Sequence, residues 1–241
     1  MNVNIIVFGG NCMTNVTPGV FDISVLVLYC TLIHVAFLIG LFKVCLKPSP
    51  LYLKMLVFAV GGYSFEAIGE LVSTLCNGYG TTIRISFLGL FVYYMFIAAA
   101  NAGETDKLFD GGSRKGRKAH LIALIAPFVF TVESIFALIY LWEDMGKMAG
   151  ISLIIDLVPK IVGSYFCAKH LLMPDNSDAT LKMIRRTDAF IMISFVFEDL
   201  YTYSYFISTV VVNIATIFLI LSIGGIVFVS VKEAKSWKIS A

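Results

Sequence analysis

Charge is what this chain has least of. Aspartate, glutamate, lysine and arginine make up 14% of its 241 residues, and 59% are hydrophobic. An ordinary soluble domain carries about 25% charged and about 45–50% apolar residues. So few charges cannot cover a soluble core of this size, and the mean hydropathy of +0.88 points to an integral membrane protein. Histidine is almost as scarce. His34, His120 and His170 are too few for the paired axial ligands of a multi-haem electron carrier. No HExxH or GxSxG pattern occurs, so zinc-peptidase and serine-hydrolase chemistry lack their usual residues. The stretch 207–231 contains no lysine for a retinal Schiff base. The glycines of 103–118 lack phosphate-loop spacing. No cofactor is expected, nor is nucleic acid as a partner.

What is present is length in apolar runs. A bilayer core of about 30 Å takes roughly 20 helical residues, and seven stretches qualify: 19–42, 51–75, 82–101, 121–141, 148–171, 187–203 and 207–231. Each is continuously apolar rather than alternating, which predicts helices and not barrel strands. The division between the last two is the tightest, with only Ser204–Phe206 to turn in; a broken or re-entrant segment competes there.

Basic residues orient the bundle. Fifteen of the eighteen lysines and arginines fall on one side, in the first, third and fifth connections and the tail. Arg84 and Lys147 lie opposite, and Lys160 lies inside the fifth stretch. The positive-inside rule places the N-terminus outside and the C-terminus in the cytoplasm. The expected organisation is a short external arm (1–18), an all-α seven-transmembrane helix bundle (19–231) and a basic tail (232–241). A multi-pass protein of the plasma (cytoplasmic) membrane follows. The arm lacks the basic start of a cleavable signal peptide, and Asn15-Val16-Thr17 within it fits a glycosylation sequon. Cys12 and Cys76 are both expected outside and are open to pairing; Cys30, Cys45 and Cys167 have no metal-site spacing. The basic loops are expected to touch anionic lipid and to offer a docking surface for a cytoplasmic or membrane protein partner.

Ionisable groups inside spans are costly, so they normally face a bundle interior or a wet cavity. Glu66 and Glu70 lie one turn apart in the second stretch, Glu133 in the fourth, Asp156 and Lys160 in the fifth, and Glu198 and Asp199 in the sixth. Given the orientation, all fall in the outer half of the membrane. Together they predict an outward-opening acidic pocket, supported by His34, Arg84, Tyr201 and Asn213. One lysine cannot neutralise six carboxylates, which must therefore pair, take up protons, or bind a cation or the ammonium of a zwitterion. Lys160 can neutralise Asp156 or hold a ligand carboxylate. Calcium suits such oxygens better than a transition metal does. Pro159 cannot donate its helical hydrogen bond, and marks a hinge beside Asp156 and Lys160; Pro127 bends the fourth helix. Tyr52, Tyr79, Tyr140, Trp142, Tyr201, Tyr203 and Tyr205 read as interfacial belts. The adjacency of Glu198 and Asp199 does not establish acid–base geometry, so catalysis is not expected.

The second stretch, with Gly61-Gly62-Tyr63, an embedded Glu66 and Glu70, resembles the second helix of the seven-helix N-terminal membrane sensor domains of bacterial histidine kinases. Leu88-Gly89-Leu90 in the next helix resembles their leucine-glycine pattern, and the basic loop Arg114-Lys115-Gly116-Arg117-Lys118 follows. The resemblance implies reception of an external or membrane-derived signal and a cytoplasmic output. These residues show no output domain, and the expectation is that another protein receives the signal. The expected function is a receptor or sensor for a small cationic or zwitterionic ligand, or an ion. A small-solute or proton-coupled transporter is the alternative, and an accessory membrane subunit the third reading.

Overall fold

The computed structural model describes residues 20–77, 84–105, 114–173, 179–204 and 209–237, with side chains at 140–149 and several helix ends outside the description. The described chain is all-helical: α1 (Val20–Gly40), a π-helical turn (Leu41–Cys45), α2 (Leu51–Asn77), α3 (Arg84–Thr105), α4 (Arg114–Ala123), α5 (Ile125–Leu172), α6 (Ala179–Ser204) and α7 (Thr209–Trp237). Five helical segments are long and apolar enough to cross a membrane: Val20–Cys45, Leu51–Leu75, Arg117–Ile139, Gly150–Leu172 and Val210–Lys235. The apolar part of α3, Phe87–Gly103, is shorter. α6 is not among the five because its charges, including Asp188, Glu198 and Asp199, interrupt the apolar run; all three are buried.

Local sequence explains the breaks. α1 closes in a π turn, with the Leu46 N–H donating to Leu41 O at 3.1 Å, just before Pro48 and Pro50, since residues ahead of proline resist helical geometry. α4 stops at Ala123 and α5 starts at Ile125. Pro127 has no N–H for the Ala123 carbonyl, so one helical rung is missing there. The Phe128 N–H resumes the ladder to Leu124 O at 3.2 Å.

The two stretches 121–141 and 148–171 enter one helical element of 48 residues, which would be roughly 70 Å long if straight. It is not straight. His120 hydrogen-bonds Tyr165 at 2.8 Å, and the Lys160 ammonium lies 4.7 Å from the Phe130 ring centroid. The element therefore doubles back between Phe130 and Lys160, a stretch in which the sequence turns polar at Glu143, Asp144, Gly146 and Lys147. Its limbs run antiparallel, and seven long helical limbs result.

Residue pairing fixes the direction of each limb. Phe37 meets Gly61 and Val57 meets Gly40, so α1 and α2 are antiparallel. α2 and α3 cross with Gly62 and Gly89 in backbone contact; a Cβ on Gly89 would lie 2.5 Å from Glu66 N. Only glycine permits that approach. Tyr63 reaches Glu198 and Tyr52 reaches Thr187, making α2 and α6 parallel. Phe190 packs on Gly225 and Phe197 stacks on Phe218 at 4.3 Å, making α6 and α7 antiparallel. α7 also continues through Lys232–Trp237, so the helix extends into the expected tail. Positively charged ends gather opposite the acidic ones, and the two ends are called lysine-rich and acidic below.

Candidate functional site

The acidic end of the bundle is built on four limbs. α6 brings Glu198 and Asp199, the second limb of α5 brings Asp156 and Lys160, its first limb brings Glu133, and α2 brings Glu66 and Glu70. All except half-buried Glu133 are buried. Lys160 pairs with Asp199 and lies between the faces of Phe130 and Tyr94, 4.7 and 5.6 Å from their centroids, where cation–π attraction adds to the ion pair. Lys160 thus ties α5 to α6. The expected neutralisation of Asp156 gives way to the Asp199 pair because Asp199 faces Lys160 across the helix interface. Glu133 lies against Asp199, and Asp156 sits within electrostatic reach of Glu198 and Lys160. Glu66 adjoins both Glu70 and Glu198.

Tyrosines hold the carboxylates. The Tyr63 hydroxyl donates to Glu198, Tyr29 donates to Glu66 at 3.2 Å, and Thr202 donates to Glu198 at 3.5 Å. Tyr201 is buried and stacks on Tyr29, ring centroids 6.1 Å apart. Among the described residues Asp156 Oδ2, Asp199 Oδ2 and the Tyr203 hydroxyl are buried without a well-formed hydrogen bond, with Glu133 beside Asp199 and Ser134 beside Tyr203. All three belong to this end of the bundle. The two aspartates, Lys160, Glu198, Ser134 and Thr202 line a cavity of about 20 Å³, room for about one water. Among the described residues no three or more His, Cys, Asp or Glu side chains converge to hold a metal ion. The space accepts a water or a small monovalent ion.

The remaining expected residues stand apart. His34 is half-buried, with Nδ1 3.0 Å from the Cys30 carbonyl of its own helix. Asn213 is half-buried in α7. The side chain of Arg84 lies outside the described residues, as do Cys12, the side chain of Cys76, the sequon and the turn at 205–206. Pro159 is buried within α5 next to Lys160, leaving the Ile155 carbonyl without its helical donor.

A second polar cluster was not foreseen. Near the lysine-rich end, His170 Nδ1 is 2.8 Å from Asp188 Oδ2, both fully buried. Cys167 donates to Asp188 at 3.4 Å, Asn101 donates to Cys167 at 3.4 Å, and Tyr52 pairs with Thr187 at 2.7 Å. Tyr52, 1% exposed, is therefore a core residue and not part of an interfacial belt. Asp188 and His170 look like span edges in sequence. A signal was available in the spacing of Thr187–Asp188, Ser194 and Glu198, which puts a polar stripe on one face of α6. Tyr93 bonds Ser194 midway along it.

Comparison of the chain with protein families, curated proteins and solved structures returns no match.

Proposed function

We propose that the chain is a seven-span sensor of the plasma membrane, N-terminus outside, that takes a proton or a small monovalent cation into the acidic cluster. One observation carries this reading: Glu133, Asp156, Glu198 and Asp199 share a single lysine, Glu66 and Glu70 stand beyond Glu198, and buried oxygens of Asp156 and Asp199 lack a donor. In a low-dielectric interior such an excess of negative charge needs a cation or protons. The water-sized cavity favours an ion over the organic ligands that the sequence also allowed. The resemblance to histidine-kinase sensor domains supports a cytoplasmic output through a protein partner docked on the basic loops. Binding shifts the helix arrangement to the extent that the two arrangements differ in affinity, with Pro159 as the hinge between Asp156 and Lys160.

The test is a titration of external pH and sodium on protein held in nanodiscs. Distances between spin labels at the lysine-rich ends of α5 and α6 are recorded. A saturable change, abolished by the double substitution Glu198→Gln and Asp199→Asn, is expected. Unchanged distances over the whole titration would sink the reading.

Proton-coupled transport is the second reading, favoured by the Asp188–His170 cluster toward the other end of α6. Between the two clusters Ile97, Ile191 and Phe195 are fully buried around the Tyr93–Ser194 pair, a packed, largely apolar layer that a transporter would have to open. Proton uptake into sealed vesicles, lost with Asp188→Asn, is the outcome that would replace sensing by transport.

A further inference from the structure

An apolar cavity lies away from both polar clusters. It is an apolar groove of about 330 Å³ on the outside of the bundle, walled by Phe37, Phe58, Phe65, Leu88 and Phe96. Gly61, Gly62 and Gly89 line its floor, where the α2 and α3 backbones meet closely and Phe37 packs on Gly61. Its walls are open: Phe58 and Phe65 are 45% exposed and Leu88 57%. The Phe58 and Phe96 rings stack at 5.7 Å and close one side.

The groove has a polar end. One turn from Phe58 on the same face of α2 stands half-buried Lys54, whose side chain leans toward the start of its helix and so toward the bundle end. The adjoining π turn and loop carry Lys43 and Lys47, and Cys45 of that turn contacts the Lys54 carbonyl at 4.0 Å. Along α3 the same face continues from Phe96 to exposed Ala99 and Gly103, and nothing lies within 4 Å of a Cβ built on Gly103. An open, small-residue track therefore leads from the apolar groove to a group of lysines. No acidic residue occurs between Phe37 and Phe65, so the lysines of that stretch face one acid on the α3 side of the track, Glu104, next to Gly103.

We infer that this groove is a binding site for one anionic phospholipid, its acyl chain over Gly61, Gly62 and Gly89 and its phosphate against Lys54. The charge complementarity selects the headgroup, and the phenylalanine walls select a chain over a ring of water. A lysine near an anionic lipid surface is worth enough to change affinity about fivefold. The inference rests on the chain crossing a membrane and is independent of what the acidic cluster takes.

Native mass spectrometry tests it on the intact chain, released from nanodiscs containing equal amounts of phosphatidylglycerol and phosphatidylcholine with identical acyl chains. One retained phosphatidylglycerol per chain is expected, preferred by at least about fivefold. Lys54→Gln should cut that preference by about fivefold. Leu88→Trp, which fills the groove from an exposed wall, should lose the retained lipid while leaving the unfolding temperature in detergent unchanged. Phe65→Trp, at the far end of the groove, gives an independent check should Leu88→Trp fail to fold. Equal retention of the two lipids in the unmodified chain would overturn the headgroup selection. Undiminished phosphatidylglycerol in a folded groove-filling variant would overturn the site itself.

Discussion

The two polar clusters on α6 stand Asp188 to Glu198, about 15 Å apart along the helix, and they are built on opposite principles. At the lysine-rich end Asp188 receives His170, Cys167 and Tyr52, and Thr187 is held by Tyr52. Donors and acceptors there match. At the acidic end carboxylates outnumber cations, and the three buried oxygens without a well-formed hydrogen bond are all found there. A satisfied buried network rigidifies a fold, whereas an unsatisfied one is a strain that something else must relieve. The contrast separates a satisfied fastening from an unsatisfied acidic cluster, although both are equally hidden from solvent.

The largest effect that sharpens this contrast is Lys160→Met. It removes the partner of Asp199 and should cost about 3–5 kcal/mol, read as a lowered unfolding temperature in detergent. Lys160→Met combined with Asp199→Asn should recover most of the loss, since the pair then disappears together. Next, Gly89→Ala forces a Cβ against the Glu66 backbone and should cost about 1–3 kcal/mol, with the cation response weakened because Glu66 moves. Asp188→Asn keeps the shape of the fastening and should cost about 1–3 kcal/mol while leaving the response to external cation intact. Loss of that response would break the comparison and make the cluster at the lysine-rich end part of the ion path. The smallest effect is expected from Pro159→Ala. It restores one helical hydrogen bond, raises stability by about 1 kcal/mol or less, and should reduce the amplitude of the spin-label change.

Much of the acidic site is legible before folding. A carboxylate inside an apolar run has few places to be, so Glu66, Glu70, Asp156, Glu198 and Asp199 declare themselves in a linear reading, as does Lys160. The cluster at the lysine-rich end does not, because Asp188 and His170 lie where an apolar run grades into a basic loop and resemble ordinary interface residues. Tyrosine misleads for a related reason. Its ring suits an interface and a core equally well, and only the buried acceptors of Tyr29, Tyr52, Tyr63 and Tyr93 decide for the core.

Composition and hydropathy alone determined that this chain is helical, apolar in runs long enough to cross a membrane, and carries acid inside those runs, because those properties are sums over residues; which five helical segments are long and apolar enough to span came from the structure. Partner choice is not a sum. That Lys160 binds Asp199 and not its own-helix neighbour Asp156, that the long α5 doubles back to set Phe130 beside Lys160, and that Gly62 and Gly89 leave a groove on the outside of α2 and α3, all depend on which faces meet. Helical spacing constrains neighbours along one limb; contacts between limbs are set by how ridges, glycines and charges of different limbs fit together.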